Sequence, residues 1–196
     1  MPRDVLERWL EEVVATPGAT ALDDLEAARR VLLDDALRAV PLLEQNGGPI
    51  VDVGSGGGSP GLPLAVAFPG RDFTLLEAER RKCAFLETFA RELPNVDVVW
   101  GRAEEQPLEV YGVALAKALA KPPVAVELCA PLVAHDGAVV LWLGETADRS
   151  HVARAAELMG CRLERDSDGL VLLRKVDPTP AGFPRRAGMA KKRPLA

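Results

Sequence analysis

Asp52, Gly54, Gly56 and Gly58 alternate with Val53, Ser55 and Gly57, and Ser59-Pro60-Gly61 follows directly. A turn this rich in glycine lets the backbone adopt positive φ and lets a ligand approach the main chain without meeting a Cβ. The apolar run Ile50-Val51-Asp52-Val53 before it suits a buried strand, and Leu62, Leu64, Val66 and Phe68 after it suit a helix, with Pro60 or Pro63 in its first turn. Strand, bare turn and helix N-terminus together make a seat for a nucleotide-like cofactor. Glu77 stands 25 residues after Asp52, at the end of a second strand-like run. In a doubly wound sheet that position falls beside the turn, where a carboxylate can accept hydrogen bonds from both hydroxyls of a ribose. The same acid would also suit the N-terminal dipole of the helix that follows.

Other chemistry is sparse. Lys117 closes a fourth strand-like run, Tyr111 to Ala116, and ligands collect at the carboxyl ends of strands in open α/β sheets. Arg102 follows the third run, Val96 to Trp100, and these two cations are the candidates for holding substrate or a cofactor carboxylate. His135 and His151 are the two histidines, and neither lies near Cys or carboxylate at metal-ligand spacing, so no metal site is expected. Cys83, Cys129 and Cys161 are far apart and read as reduced core thiols of a cytoplasmic protein. The first residues resemble neither a signal peptide nor a transit peptide, and no apolar run approaches membrane-spanning length.

The elements that must position these groups follow from periodicity. Val5, Leu6, Trp9, Leu10, Val13 and Val14 share one helical face, with Trp9 as a core residue. A second helix is expected from Thr20, capped by its hydroxyl, toward Pro41. Both helices should pack beside the glycine turn. After it, strand and helix patterns alternate as far as the strand Ala138 to Leu143, with His135-Asp136-Gly137 read as a turn before that strand. A helix from His151 and a hairpin follow, its strands Arg162 to Asp166 and Leu170 to Arg174 joined through Ser167-Asp168-Gly169. This is an α/β doubly wound sheet with a C-terminal antiparallel hairpin and two N-terminal helices. The expected organisation is an N-terminal helical extension over 1–46, a catalytic domain over 47–176 and a tail over 177–196. With 196 residues, 48% of them hydrophobic, no second large domain fits. The net charge is −5, yet no acid follows Asp177, while Arg185, Arg186, Lys191, Lys192 and Arg193 supply five positive charges, so the remainder carries −10. A basic arm on an acidic body suits phosphate contacts with RNA; a solvated tail would carry the same charges.

Gly56, Gly58 and Gly61 fit the dinucleotide pattern, but a nicotinamide enzyme would more often continue into a second nucleotide half, for which no residues remain. The D-x-G-x-G-x-G pattern from Asp52 to Gly58 resembles motif I of class I S-adenosylmethionine methyltransferases, with Rossmann-like fold. That resemblance places Asp52, Gly54, Ser55, Gly56, Gly58 and Ser59 at the cofactor, Glu77 near its ribose, and Ala103 and Glu104 at the adenine.

The stretch Val51 to Ala65 with its Pro-Gly, then Thr74-Leu75-Leu76-Glu77, Arg81 to Leu86, Gly101 to Glu105, and the tail Phe183 to Gly188 with Lys191-Lys192-Arg193-Pro194-Leu195 resemble a narrower family. It is that of the bacterial small-subunit (16S) ribosomal RNA guanine-N7 methyltransferases, RsmG or GidB. The resemblance implies methyl transfer from S-adenosylmethionine to N7 of a guanine, with Lys117 also bordering the cofactor. It implies small-subunit rRNA or an assembling subunit as partner, and a monomeric enzyme is expected. The chain departs from the family at Leu32 and Ala36, where His and Ser are usual, and at Gly112, Ala116 and Lys117, in place of Asp, Ser and Arg. The alternatives are a methyltransferase with a different acceptor and a non-catalytic RNA- or ribosome-binding paralogue.

Overall fold

The structure, a computed structural model, describes residues 2–144 and 146–196; Met1 and Glu145 lie outside them. Seven strands form one sheet: β1 Ile50–Val53, β2 Phe73–Glu77, β3 Val96–Trp100, β4 Tyr111–Lys117, β5 Val133–Trp142, β6 Cys161–Ser167 and β7 Leu170–Lys175. Their spatial order is β3-β2-β1-β4-β5-β7-β6. The first five run parallel, and β7 enters antiparallel between β5 and β6. The order reverses at β1, so its carboxyl end opens on the crevice where ligands bind in such sheets.

Both faces of the sheet are covered, which is why the central strands are apolar on each side. One face carries Ile50, Phe73, Leu75, Leu115 and Val140 against the N-terminal helices, α5 Gly61–Ala67 and α6 Arg80–Ala90. The other carries Val51, Val53, Ala114, Val139 and Leu141 against α7 Pro122–Cys129 and α8 Arg149–Leu158. The hairpin turns on Asp168 and Gly169 alone, both at positive φ, while Ser167, expected in the turn, closes β6 opposite Leu170.

Three local readings need correction. The second helix begins not at Thr20 but after Asp24, whose carboxylate accepts from Ala27 N at 2.7 Å. Thr20 Oγ1 instead accepts from Leu22 N at 3.2 Å, a local turn bond. The helix is also broken: α2 Leu25–Ala28 passes through a π-helical stretch, Arg29–Asp34, into α3 Asp35–Leu37, and α4 Val40–Glu44 carries the chain past Pro41. Finally, His135-Asp136-Gly137 lies inside β5, where Asp136 adopts φ +63 and the register with β4 shifts. Arg174 Nη1 donates to Asp136 O at 2.7 Å, so a turn-like sequence is held within the ladder as a bulge.

Candidate functional site

The glycine turn is built as an extension of the sheet and is held from four sides. Gly54 N and Ser55 N both donate to Leu76 O, at 2.7 and 3.1 Å, prolonging the β1–β2 pairing into the turn. From below, the buried Asp52 carboxylate accepts from Gly61 N at 3.0 Å, and Ser55 Oγ donates to Asp52 O at 2.9 Å. From the side, Trp9 on α1 Pro2–Ala15, fully buried, donates its indole N–H to Gly57 O at 2.6 Å. From the front, Gly56 N donates to Glu77 Oε2 at 2.9 Å, with Gly56 at φ +56 and no side chain or backbone atom crowding its Cβ position closer than 3.8 Å. Glu79 N donates to the other Glu77 oxygen at 2.7 Å. Each carboxylate oxygen therefore has one lone pair committed to backbone and one left for a ligand.

A cavity of about 480 Å³ opens above this turn. Of the residues singled out from sequence, Gly54, Ser55, Gly56, Ser59, Glu77, Arg102, Ala103, Glu104 and Lys117 line it. Asp52 and Gly58 do not. Asp52 lies behind the turn, and burial raises its carboxyl from 3.8 to about 7. Its Oδ1 is buried with no hydrogen-bond partner among the described residues. Gly58 N donates to Ser55 O at 2.7 Å, and a Cβ there would meet Leu62 Cδ1 at 2.6 Å, so this glycine serves close packing.

Lys117 is less free than its position suggested. Its Nζ pairs with Asp35 Oδ2 at 2.9 Å and donates to Val31 O, a carbonyl of the π-helical stretch. Asp35 in turn accepts from Arg38 Nη1 at 2.7 Å and, through its backbone oxygen, from Trp142 Nε1 at 3.0 Å. Ser59 Oγ donates to Leu32 O at 2.7 Å. The irregular helix thus contributes Leu32 to the wall of the cavity, beside Val13 of α1 and Ala19 of the loop that follows it. Lys117, Ala118 and Leu119 also border a second cavity, of about 1100 Å³, at the carboxyl ends of β4 and β5, beside Asp35 and Trp142. At the far end of β4, Gly112 packs backbone to backbone: a Cβ there would lie 2.0 Å from Gly47 O. That departure belongs to chain packing at the amino end of the central strand β4 and does not touch the cavity.

Sequence reasoning missed the part played by the tail. Gly188, Ala190 and Lys191 line the first cavity, and Gly188 N donates to Glu104 Oε1 at 3.0 Å. Arg185 is not a free phosphate contact as expected, because Glu127, on α7, accepts from its Nε at 2.6 Å and from its Nη2 as well. This pair raises the Arg185 guanidinium above its ordinary value. The available signal was Glu127 itself, a lone acid in the otherwise apolar helix Pro122–Cys129. For Arg186, Lys191, Lys192 and Arg193, no ion pair is formed by a side chain among the described residues. A buried cation was missed too: Lys175 Nζ donates to Ala130 O, Met159 O and Thr179 Oγ1 at 3.0–3.2 Å, and burial lowers its pKa. All three cysteines are buried and free, and burial pushes the Cys161 thiol up to about 11. Among the described residues, no helix is long and apolar enough to cross a membrane, and no cluster suits a metal ion.

The sheet order, with its antiparallel β7 and a cavity at the switch point, is that of the class I S-adenosylmethionine methyltransferases. The fold matches a TehB-like SAM-dependent methyltransferase from Corynebacterium glutamicum with a TM-score of 0.59 and 17% identity, over 90% of this chain and 98% of that one. It matches the T. thermophilus 16S rRNA N2 methyltransferase RsmC, solved with AdoMet and guanosine, with a TM-score of 0.53 and 17% identity, over 68% and 36%. Within this class the sequence is more specific. The family model of rRNA small subunit methyltransferase G, GidB, matches residues 7–167. The enzyme of that name from Thermotoga neapolitana is 35% identical over 96% of this chain and 89% of its own, and that from Pelotomaculum thermopropionicum is 35% identical over 87% and 79%. The chain belongs to the rRNA small subunit methyltransferase G family.

Proposed function

We propose that the protein transfers a methyl group from S-adenosylmethionine to N7 of a guanine in small-subunit (16S) ribosomal RNA, acting as a monomer in the cytoplasm. The observation that carries the reading is the pairing of a cavity over the bare glycine turn, with the Glu77 carboxylate at its edge, and a second cavity reached past Lys117 to Leu119. The residues present fit the cofactor. Glu77 keeps a lone pair on each oxygen for the ribose hydroxyls, Gly54 to Gly56 and Ser59 offer backbone and hydroxyl groups, and Ala103 and Glu104 stand at the adenine end. When bound, S-adenosylmethionine supplies an electrophilic sulfonium methyl.

Guanine N7 carries an in-plane lone pair and no proton, so its attack needs no general base. What the chain contributes is alignment: Lys117 and Asp35 fix the partition between the two cavities, and Trp142 is held beside it. Arg102, exposed at the mouth, and Arg186, Lys191, Lys192 and Arg193 on the tail offer phosphate contacts. Recognition then rests on the shape of a folded RNA or a partly assembled subunit.

The test is transfer of labelled methyl to purified small subunits and to naked rRNA from cells lacking the protein, with the modified base identified. Label recovered as N7-methylguanine at one position is expected. Cofactor binding by titration with no label in either substrate would overturn the rRNA assignment.

A further inference from the structure

The buried ion pair between Glu127 and Arg185 has no part in the chemistry above. Glu127 is 2% exposed and sits in the middle of α7, where desolvating a carboxylate is costly unless a partner meets both of its oxygens. Arg185 does so with its fork, and its Nη2 also donates to Arg193 O at 2.8 Å. One side chain therefore ties two points of the tail, eight residues apart, to the body of the domain. Between those points Gly188 N is held by Glu104, and Ala190 and Lys191 form part of the first cavity's wall. Just beyond them Pro194 and Ala196 border the second cavity, while Phe183 and Leu195 pack against the core at either end.

We propose that Glu127 is a positioning residue which, through Arg185, latches residues 183–196 as a wall shared by both cavities, so that the seated tail couples cofactor binding to RNA binding. The proposal rests on the function proposed above. The same segment carries Arg186, Lys191, Lys192 and Arg193, so phosphates that engage it hold the wall in place, and a filled first cavity holds those cations in register for phosphates. Coupling of this kind is reciprocal: each ligand tightens the other by the same factor. A tail that served only as a loose basic arm would show neither effect.

The experiment uses the full chain with S-adenosylhomocysteine, and reads trypsin cleavage after Arg186, Lys191 and Lys192 together with cofactor affinity by titration calorimetry. In the wild type, S-adenosylhomocysteine is expected to slow cleavage of the tail. Glu127→Gln should speed that cleavage and weaken S-adenosylhomocysteine binding by roughly tenfold, the weight of a charge-assisted hydrogen bond. KM for the RNA should rise as well, with kcat at saturating substrates largely kept. Arg185→Gln breaks the latch from the tail side but leaves the Glu127 carboxylate buried without its cation, so its urea midpoint should fall; Glu127→Gln combined with Arg185→Gln removes both charges and should show the same faster cleavage and weaker binding with a midpoint nearer wild type. Arg185→Lys, which keeps the charge and loses the fork, should fall between. Wild-type affinity in Arg185→Gln with its tail cleaved rapidly would overturn the coupling, and cleavage at the wild-type rate would overturn the latch, either result leaving the cofactor reading intact. Absence of S-adenosylhomocysteine binding to the wild type would overturn the cofactor reading and the latch with it.

Discussion

Two carboxylates on neighbouring strands do opposite work. Glu77 receives backbone N–H groups on both oxygens, which fixes its side chain as an acceptor beside the cavity. Glu77→Gln can present an oxygen to only one of them and sets an amide N–H₂ against the other, at a cost of about 1–3 kcal/mol. Calorimetric titration with S-adenosylhomocysteine should show at least a tenfold weaker complex, with the far-ultraviolet dichroism unchanged. Asp52, behind the same turn, is raised from 3.8 to about 7 by burial, partly offset by its bond from Gly61 N. Between those two values the folded chain keeps a proton that the unfolded chain has released, so stability from this group is present at low pH and is lost as pH rises through 7. Asp52→Asn retains an acceptor for Gly61 N and removes the titration. Urea denaturation from pH 5 to pH 8 should therefore find the variant gaining on the wild type by on the order of 3 kcal/mol. A difference that stays level across that range would show that Asp52 does not hold the proton.

At the scale of elements, the N-terminal helices are parts of the site as much as supports for it. Trp9→Phe keeps most of the apolar bulk but leaves Gly57 O without its donor, which should cost about 1–2 kcal/mol in urea unfolding and weaken the cofactor several-fold in titration. Replacing Lys117 by Met strips the π-helical stretch of its tie to β4, whereas Lys117→Arg keeps a cation against Asp35. Methyl-transfer assays should find the Met variant strongly impaired and the Arg variant active. Much of this was legible in the sequence: the glycine turn, Glu77 at the end of β2, the alternation of strands and helices and the Asp168-Gly169 hairpin all follow from local pattern and turn chemistry. What was not legible depended on partners distant in the chain. Nothing near Thr20 says that Asp24 caps the helix better, and nothing near Leu32 says that its carbonyl is taken by Ser59, which is what an irregular helix needs to persist beside a cavity. His135-Asp136-Gly137 has the composition of a turn, and groups 38 and 41 residues on, Arg174 against Asp136 O and Val176 O against the His135 ring, hold it as a bulge.

For the whole molecule, charge segregation was legible and its architecture was not. The tail is part of the enzyme's wall, and Arg185, counted with the other cations from sequence, is spent inside the protein. The remaining tail cations should still govern the response to salt. Removing Lys191, Lys192 and Arg193 together should lower the slope of log KM for RNA against log salt by about 2 to 3, as expected for three lost phosphate contacts. Steady-state kinetics between low and moderate salt checks this, and an unchanged slope would send the phosphates elsewhere. One further consequence lies in the strand order. Because β7 is inserted between β5 and β6, the strand that covers the edge of β5 is the last to be synthesised. Until residues 170–175 have left the ribosome, the nascent chain carries an open, apolar template from Ala138 to Trp142, the kind of edge that recruits other chains. A chain released before that point should aggregate rather than wait, so the enzyme that modifies ribosomes is itself exposed to misassembly until the last of its seven strands has emerged.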